Sequence, residues 1–232
     1  MHEEPLASQE GKLGRFVITP LLIIASLYSL YLVIHPYTPF SKLTISILDL
    51  TEVQRSTHVF LLLLTGYLLS SQRIPGRVGI GAFVFALMTA FPMYSFWKIG
   101  LDPIFSIAAT IFWAVAVGPT LYPRSTKTAD KLAAIMVIIP YAYHVFFFHD
   151  IIDRAMIPEP WDLVMSFGLT LLLLGQVYRY IGAILPCLVL TFLIYNLHGD
   201  LMGGVFSHAV FGYDLLLAKL FSETEAGLFG MI

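Results

Sequence analysis

Seven apolar runs, separated by short polar or proline-containing turns, fill the chain from Phe16 to Leu197. They predict helices at 16–35, 57–71, 79–97, 103–122, 131–149, 161–178 and 181–198. A helix needs roughly 20 apolar residues to cross a hydrocarbon core about 30 Å thick. The connections are too short to form a soluble domain, so the pattern predicts an all-α, polytopic integral membrane protein with about seven transmembrane helices.

The boundaries have causes in the sequence. His35-Pro36 and Pro39 close the first run, because proline cannot continue a helix and restricts the residue before it. Ser71 to Arg77 is a polar turn, and Gly100 with Pro103 separates the third run from the fourth. Pro158-Glu159-Pro160 precedes the sixth run, with Asp162 in its first turn, where a carboxylate suits the positive end of the helix dipole. The second run is short for a span. Ile45–Arg55 before it is expected to form an amphipathic, partly interfacial extension, given Asp49, Glu52 and Arg55 among apolar neighbours. Pro92, Pro140 and Pro186 fall inside helices and are expected to kink them.

After Leu197 the pattern changes. His198-Gly199-Asp200 ends a span, Gly203-Gly204 breaks the chain, and Val205–Phe221 mixes apolar residues with His208, Asp214 and Lys219. The expected organisation is a tail over 1–15 (disordered over 1–14), a transmembrane scaffold over 16–198 and an interfacial amphipathic segment over 199–232.

Composition agrees with this picture. The chain is 58% hydrophobic and 12% charged, about half the charged fraction of a soluble domain, and its mean hydropathy is +0.81. A net charge of −2 offers no basic face for nucleic acid. The single cysteine, Cys187, lies in an apolar run and reads as a core residue. The first run is too long for a signal-peptide core and has no small-x-small exit, so it is expected to be a retained helix.

Charge also orients the spans. With the N-terminus inside, Lys12, Arg15, Arg73, Arg77, Arg124, Lys127, Lys131 and Arg179 are inner. Lys42, Arg55, Lys98, Arg154 and Lys219 are outer, a split of eight against five. That bias follows the positive-inside rule and predicts a cytoplasmic N-terminus.

Candidate chemistry is sparse. His35, His58, His149 and His198 fall at the expected outer helix ends, with His144 somewhat deeper. Facing histidines at matched depth could hold a haem, which leaves a haem-binding anchor of a respiratory or redox complex as an alternative reading. No pair has i, i+4 spacing, and helix-end histidines are commonly interfacial. Between the helix ends the runs offer only weak polar groups such as Thr65, Thr89, Thr110, Gln176 and Thr191, without the ionisable residues that mark an ion path. No nucleophile, zinc-protease or phosphate-loop motif is present, so no catalytic residue, metal ligand or enzyme activity is expected. Tyr37, Trp97, Tyr122, Trp161, Tyr178 and Tyr180 near helix ends read as an aromatic belt.

From Asp130 onward the order of features resembles the N-terminal part of fused permeases of TAXI-type TRAP (tripartite ATP-independent periplasmic) transporters. In that family a helix opening with Asp is followed by an outer loop D-I-x-x-R-x-G-x-P-x-x-x-D, which Asp150 to Asp162 matches except for Met156 in place of Gly. The family pattern E-x-x-R-R-x-x-G is similar to Gln176 to Gly182, with Gln176 for the acid, Tyr180 for the second Arg and the Gly one position early. Ser222 to Gly230 resembles the S-T-E-G-I-F-G sequence that opens the family's large membrane domain. Gln54-Arg55-Ser56-Thr57-His58 resembles its Q-R-x-x-H.

The resemblance implies the small, Q-type membrane subunit of such a transporter, in the inner membrane of a bacterium or archaeon. Its expected partners are a large M-type permease subunit and a periplasmic TAXI-type substrate-binding protein that delivers small organic anions. The chain would need no cofactor of its own, and coupling to Na⁺ or H⁺ is expected in the large subunit. Arg55, His58, Asp150, Asp153, Arg154, Asp162, Arg179 and Phe229 are the residues expected to touch partners. No residue is marked as substrate-binding.

Overall fold

The computed structural model describes residues 6–34, 51–70, 79–122, 126–154, 157–201, 203–209, 212–222 and 228. Among them the chain is all-helical, with no strand. The helices are α1 (Leu6–Ile34), α2 (Thr51–Ser70), α3 (Ile80–Lys98), α4 (Pro103–Leu121), α5 (Thr126–Phe146), α6 (Phe148–Asp153), α7 (Pro160–Ile181), α8 (Ile184–His198) and α9 (Tyr213–Ser222). Short 3₁₀ turns at Gly199–Leu201 and Gly204–Phe206 lead from α8 towards α9.

Among the described residues four helices are long and apolar enough to cross a membrane: α3, α4, α5 from Thr128, and α7. The remaining expected spans differ for physical reasons. In α1 the apolar stretch is Phe16–Tyr31, and α8 is a short apolar helix of 15 residues. The first two turns of α2 carry Glu52, Gln54, Arg55 and His58, which lowers its apolarity.

Several boundaries also move. Helix α1 begins at Leu6, well inside the expected disordered tail, where Ala7, Gln9, Glu10, Lys12 and Leu13 are good helix formers. Helix α2 starts at Thr51, so part of the expected extension is helical, while 45–50 lies outside the described residues. Helix α5 stops at Phe146 rather than 149. The break at Phe147 re-aims the chain so that Phe148 and Ile151 of α6 turn into the core. Helix α7 runs on to Ile181 because the charge of Arg179 is paired inside the bundle, and Gly182, at φ 95°, stops it. Pro92 and Pro140 lie within continuous helices, and Pro186 sits in the first turn of α8.

Residue contacts set the directions of the helices. Thr57 meets Tyr141 and Ser70 meets Asp130, so α2 and α5 are antiparallel. Phe96 stacks on Phe167 and Phe85 on Tyr178, making α3 and α7 antiparallel. Phe105 packs on Trp161 and the Arg179 guanidinium reaches Ala116, so α4 runs parallel to α7. Gln176 reaches Leu62 and Tyr180 reaches Gly66, so α2 runs parallel to α7, and Gly81 lies beside Ala183 while Phe91 packs on His198, so α8 runs parallel to α3; α2, α4 and α7 therefore point one way and α3, α5 and α8 the other.

Helix α7 is the centre of the bundle, with every residue from Asp162 to Leu172 buried. A helix buried all round belongs inside others, and α2, α4, α5, α8 and α9 all pack on it. The outer faces are apolar instead: Ile23 and Leu27 of α1, Phe83 and Leu87 of α3, and Leu188 and Phe192 of α8 are exposed. Such broad apolar exposure would aggregate in water and is the surface of a membrane-embedded protein.

Helix α9, in the segment expected to be interfacial and amphipathic, packs on α7, burying Leu217, Ala218 and Phe221, and the Ser166 hydroxyl donates to the Leu217 carbonyl at 2.6 Å.

Candidate functional site

Two Arg–Asp clusters tie α5 to α7, one near each end of the pair. The first joins the start of α5 to the end of α7. Arg179 Nε donates to Asp130 Oδ1 at 2.7 Å, and the Ser70 hydroxyl donates to Asp130 Oδ2 at 2.7 Å. Arg179 Nη1 also donates to the carbonyls of Gly175 (2.8 Å) and Ala116 (3.1 Å). Its guanidinium lies 5.0 Å from the centre of the Tyr67 ring, whose hydroxyl donates to the Leu172 carbonyl. One ion pair therefore holds α2, α4, α5 and α7 together. The Arg179 side chain is 7% exposed and Asp130 fully buried, so neither charge is compensated by solvent. Gly175 makes this approach possible, since a Cβ there would meet the Ala116 carbonyl oxygen at 2.7 Å.

The second cluster joins the end of α5 to the start of α7. Asp162, in the first turn of α7, accepts four hydrogen bonds. They come from Tyr143 Oη (2.7 Å), Arg154 Nη2 (3.0 Å), Arg154 Nε (2.8 Å) and the Glu159 backbone N–H (2.9 Å). Arg154 Nη1 reaches the exposed Glu159 carboxylate at 3.1 Å. The two-pronged grip on Asp162 is the strong geometry for a guanidinium and a carboxylate. It moves the Arg154 pKa further above its already high ordinary value, chiefly through the hydrogen bond to Asp162. At 1.5 Å per residue, about 20 Å of α5 separates Asp130 from Tyr143 and about 25 Å of α7 separates Asp162 from Arg179.

Between the clusters the threonine hydroxyls donate locally. Thr65 donates to Leu61 O, Thr89 to Ala86 O, Thr110 to Ser106 O, Thr170 to Ser166 O and Thr191 to Cys187 O, each on its own helix. Gln176 Nε2 donates to Leu62 O and the Tyr180 hydroxyl to Gly66 O, stitching α7 to α2.

The partner-contact candidates separate into groups. Arg154 and Asp162 meet each other, and Arg179 is buried in its own cluster. All three are held within this chain, with Arg154 partly exposed and Glu159 of the second cluster exposed. Asp150 and Asp153 are exposed on α6. Arg55 is half-buried on α2, and His58 Nδ1 lies 3.2 Å from Ser29 Oγ, fastening α1 to α2. Phe229 lies outside the described residues, as do Tyr37 and the segment 36–50 that precedes α2. The aromatic belt divides as well: Trp97, Tyr122 and Trp161 are exposed at helix ends, while Tyr178 stacks on Phe85 inside the bundle.

Of the histidines named for haem, His144 and His149 share one aromatic neighbour, while His58 and His198 lie elsewhere. The rings of His144 and His149 pack edge-on to Phe148, and His144 also packs against Phe221. His198 packs against Phe91, and His58 meets Ser29. Among the described residues no group of three or more His, Cys, Asp or Glu side chains is arranged to hold a metal ion.

Comparison with protein-family models, with curated proteins and with solved structures gives no match.

The residue that sequence reading left without a role is Asp130. Its signal was positional: it sits just inside the start of α5, and Arg179 just inside the end of α7, at the same end of an antiparallel pair. Tyr143 was likewise read only as part of an apolar run, because a tyrosine near a helix end carries no mark of its hydroxyl's partner.

Proposed function

We propose that the protein is a membrane scaffold subunit of a secondary-active, ion-coupled transporter, the TAXI-type TRAP assembly its motifs resemble. In this reading seven helices (α1 to α5, α7 and α8) span the membrane with the N-terminus cytoplasmic. A large M-type subunit carries the substrate and the coupling ion, and a periplasmic binding protein supplies small organic anions. The present chain braces the large subunit and takes no part in the ion path.

The observation that carries the reading is how polar groups are used inside the bundle. A transport path needs polar groups free to exchange partners at membrane depth. Here the interior threonines bond to their own helices, and both Arg–Asp clusters are locked into several helices at once. Between the clusters, Ala133 to Val137 of α5 and Leu163 to Leu174 of α7 are nearly all apolar and mostly buried. The alternating directions of α2 to α5, α7 and α8 support the seven-span arrangement.

The test is stoichiometry and transport together. The chain, affinity-tagged at its N-terminus, is purified from its native membrane in mild detergent. One large polytopic subunit per copy is expected, and reconstituted uptake of an organic anion should require both chains and a periplasmic binding protein. A stable monomer with no such partner overturns the proposal. A Soret absorption band in the purified protein overturns it in favour of a haem-carrying anchor.

A further inference from the structure

Helices α7 and α8 are joined by the turn Gly182–Ala183 and leave the same end of the bundle. With 22 residues α7 is about 33 Å long, and with 15 residues α8 is about 22 Å. Helix α8 therefore stops about 10 Å short of the level where α7 begins. One small cavity fixes the levels: Phe167 and Thr170 of α7, Leu197 of α8 and Tyr213 of α9 all line it. From Tyr213, α9 runs on towards the start of α7, where Phe221 and Ser222 lie beside Arg154 and Asp162. Thr170 is midway along α7. Helix α9 thus completes the crossing that α8 begins, and the span is interrupted between His198 and Tyr213, inside the thickness that α7 crosses.

The interruption has a closed side and an open side. On the closed side the His208 ring lies over Gly199, where a Cβ would strike it, and edge-on to Tyr195 at 4.6 Å. The Tyr195 hydroxyl donates to Phe206 O at 2.6 Å, and the His208 N–H to Gly199 O at 3.4 Å. On the open side Asp200 and Gly203 to Ser207 are exposed, Val205 at 94%. Irregular backbone at membrane depth is tolerated only where protein or water covers it, and an ionisable group there takes a polar partner. Among the described residues no basic side chain pairs with Asp200. Lipid tails supply neither a counter-charge nor hydrogen bonds.

We propose that this interruption is a docking surface for another membrane-spanning chain, which brings a basic side chain to Asp200 and hydrogen-bonding groups to Gly203–Ser207. That chain is the large subunit of the scaffold reading, on which the assignment rests. A second copy is a poorer match. The exposed basic residues of this chain, Lys98 and Lys131 among those described, lie at the end of α3 and near the start of α5, and Lys98 already sits over the Tyr94 ring.

The experiment uses the full chain in its native membrane, with photoreactive p-benzoylphenylalanine in place of Val205 and, as a control, in place of Ile23 on the exposed face of α1. Val205 should cross-link to the large subunit several-fold more than Ile23 does. Asp200→Asn should lower that cross-link several-fold and Asp200→Lys should abolish it. Both should leave the unfolding midpoint of the isolated chain unchanged, because the counter-charge is on the other chain. A fall in that midpoint overturns the proposal, as do Val205 adducts confined to lipid or to a second copy. Water as the only cover is tested by Ser207→Cys in a Cys187→Ser background. Reaction with a membrane-impermeant maleimide as fast as at Asp153→Cys on α6 overturns the proposal too. If a large subunit co-purifies but cross-links only elsewhere, the docking surface is refuted and the scaffold reading stands; if none co-purifies, the scaffold reading itself fails.

Discussion

Removing one member of the Asp130–Arg179 pair should cost far more than removing both. Asp130 is fully buried and Arg179 nearly so, so solvent screening discounts neither. Asp130→Leu leaves a guanidinium inside the bundle without its counter-charge, a loss of about 3–5 kcal/mol for a buried pair broken on one side. For a chain of this length that lowers the unfolding midpoint by about 6–20 °C. Arg179→Met should cost less, because an orphaned carboxylate can take up a proton whereas a guanidinium cannot release one. The double variant Asp130→Leu/Arg179→Met restores neutrality. It forfeits mainly the hydrogen bonds to Ser70, Gly175 and Ala116, about 1–2 kcal/mol after the gain from apolar replacement. A double-mutant cycle should therefore return a coupling of several kcal/mol, read from thermal unfolding in detergent micelles by circular dichroism. Additive losses, or a single variant within about 0.5 kcal/mol of the parent, would refute the claim that this pair fastens four helices.

At the other clasp, Tyr143→Phe deletes the donor to one Asp162 oxygen and should cost about 1 kcal/mol, while Asp162→Ala leaves Arg154 with the exposed Glu159 carboxylate as its counter-charge and should cost about 2–4 kcal/mol in the same unfolding assay. Arg154→Lys should not rescue the cluster, because an ammonium cannot reproduce the two-pronged grip; unfolding midpoints of the two Arg154 variants, Lys and Ala, should be close. The raised pKa of Arg154 places the loss of its charge above its unfolded value. Its stabilisation is thus fully present below that value and disappears only in strong alkali, so titration from about pH 6 to 9 should reveal no transition assignable to it. Gly175→Ala drives a methyl against the Ala116 carbonyl and should cost about 1–3 kcal/mol, as overpacking does, whereas Gly79→Ala, with open space around it, should be close to neutral.

The apolar pattern made the helices legible because burial in lipid and burial in protein both select the same residues. That is also why it could not rank them. Nothing in the run Leu163 to Leu174 distinguishes α7, the buried centre, from α3, whose Phe83 and Leu87 face outward. The ends of α7 show the limit most clearly. Its start was readable from Pro158-Glu159-Pro160 and Asp162, since capping is local chemistry. Its end was misplaced at 178 because Arg179 looks like a residue that must reach water. Only the position of Asp130 on another helix shows that it need not.

The same reasoning separates a brace from a path. Sequence reading took the scarcity of ionisable residues between the helix ends as evidence against transport through this chain, and the two charged pairs indeed sit at helix ends, although their side chains are drawn into the bundle. What matters is therefore how committed the charges are. Asp162 accepts four hydrogen bonds and Arg179 donates to three partners on three helices. To carry a proton or ion, either group would have to release partners whose loss costs several kcal/mol in a low-dielectric interior. A clasp at each end of an antiparallel pair also resists sliding of α5 along α7, because displacement by even one helical turn of about 5.4 Å would break both at once. An element built this way is suited to remain still while a neighbour moves. The two charged pairs, the strongest candidates for a transport site by residue type, are in their geometry fasteners that hold α5 and α7 in register.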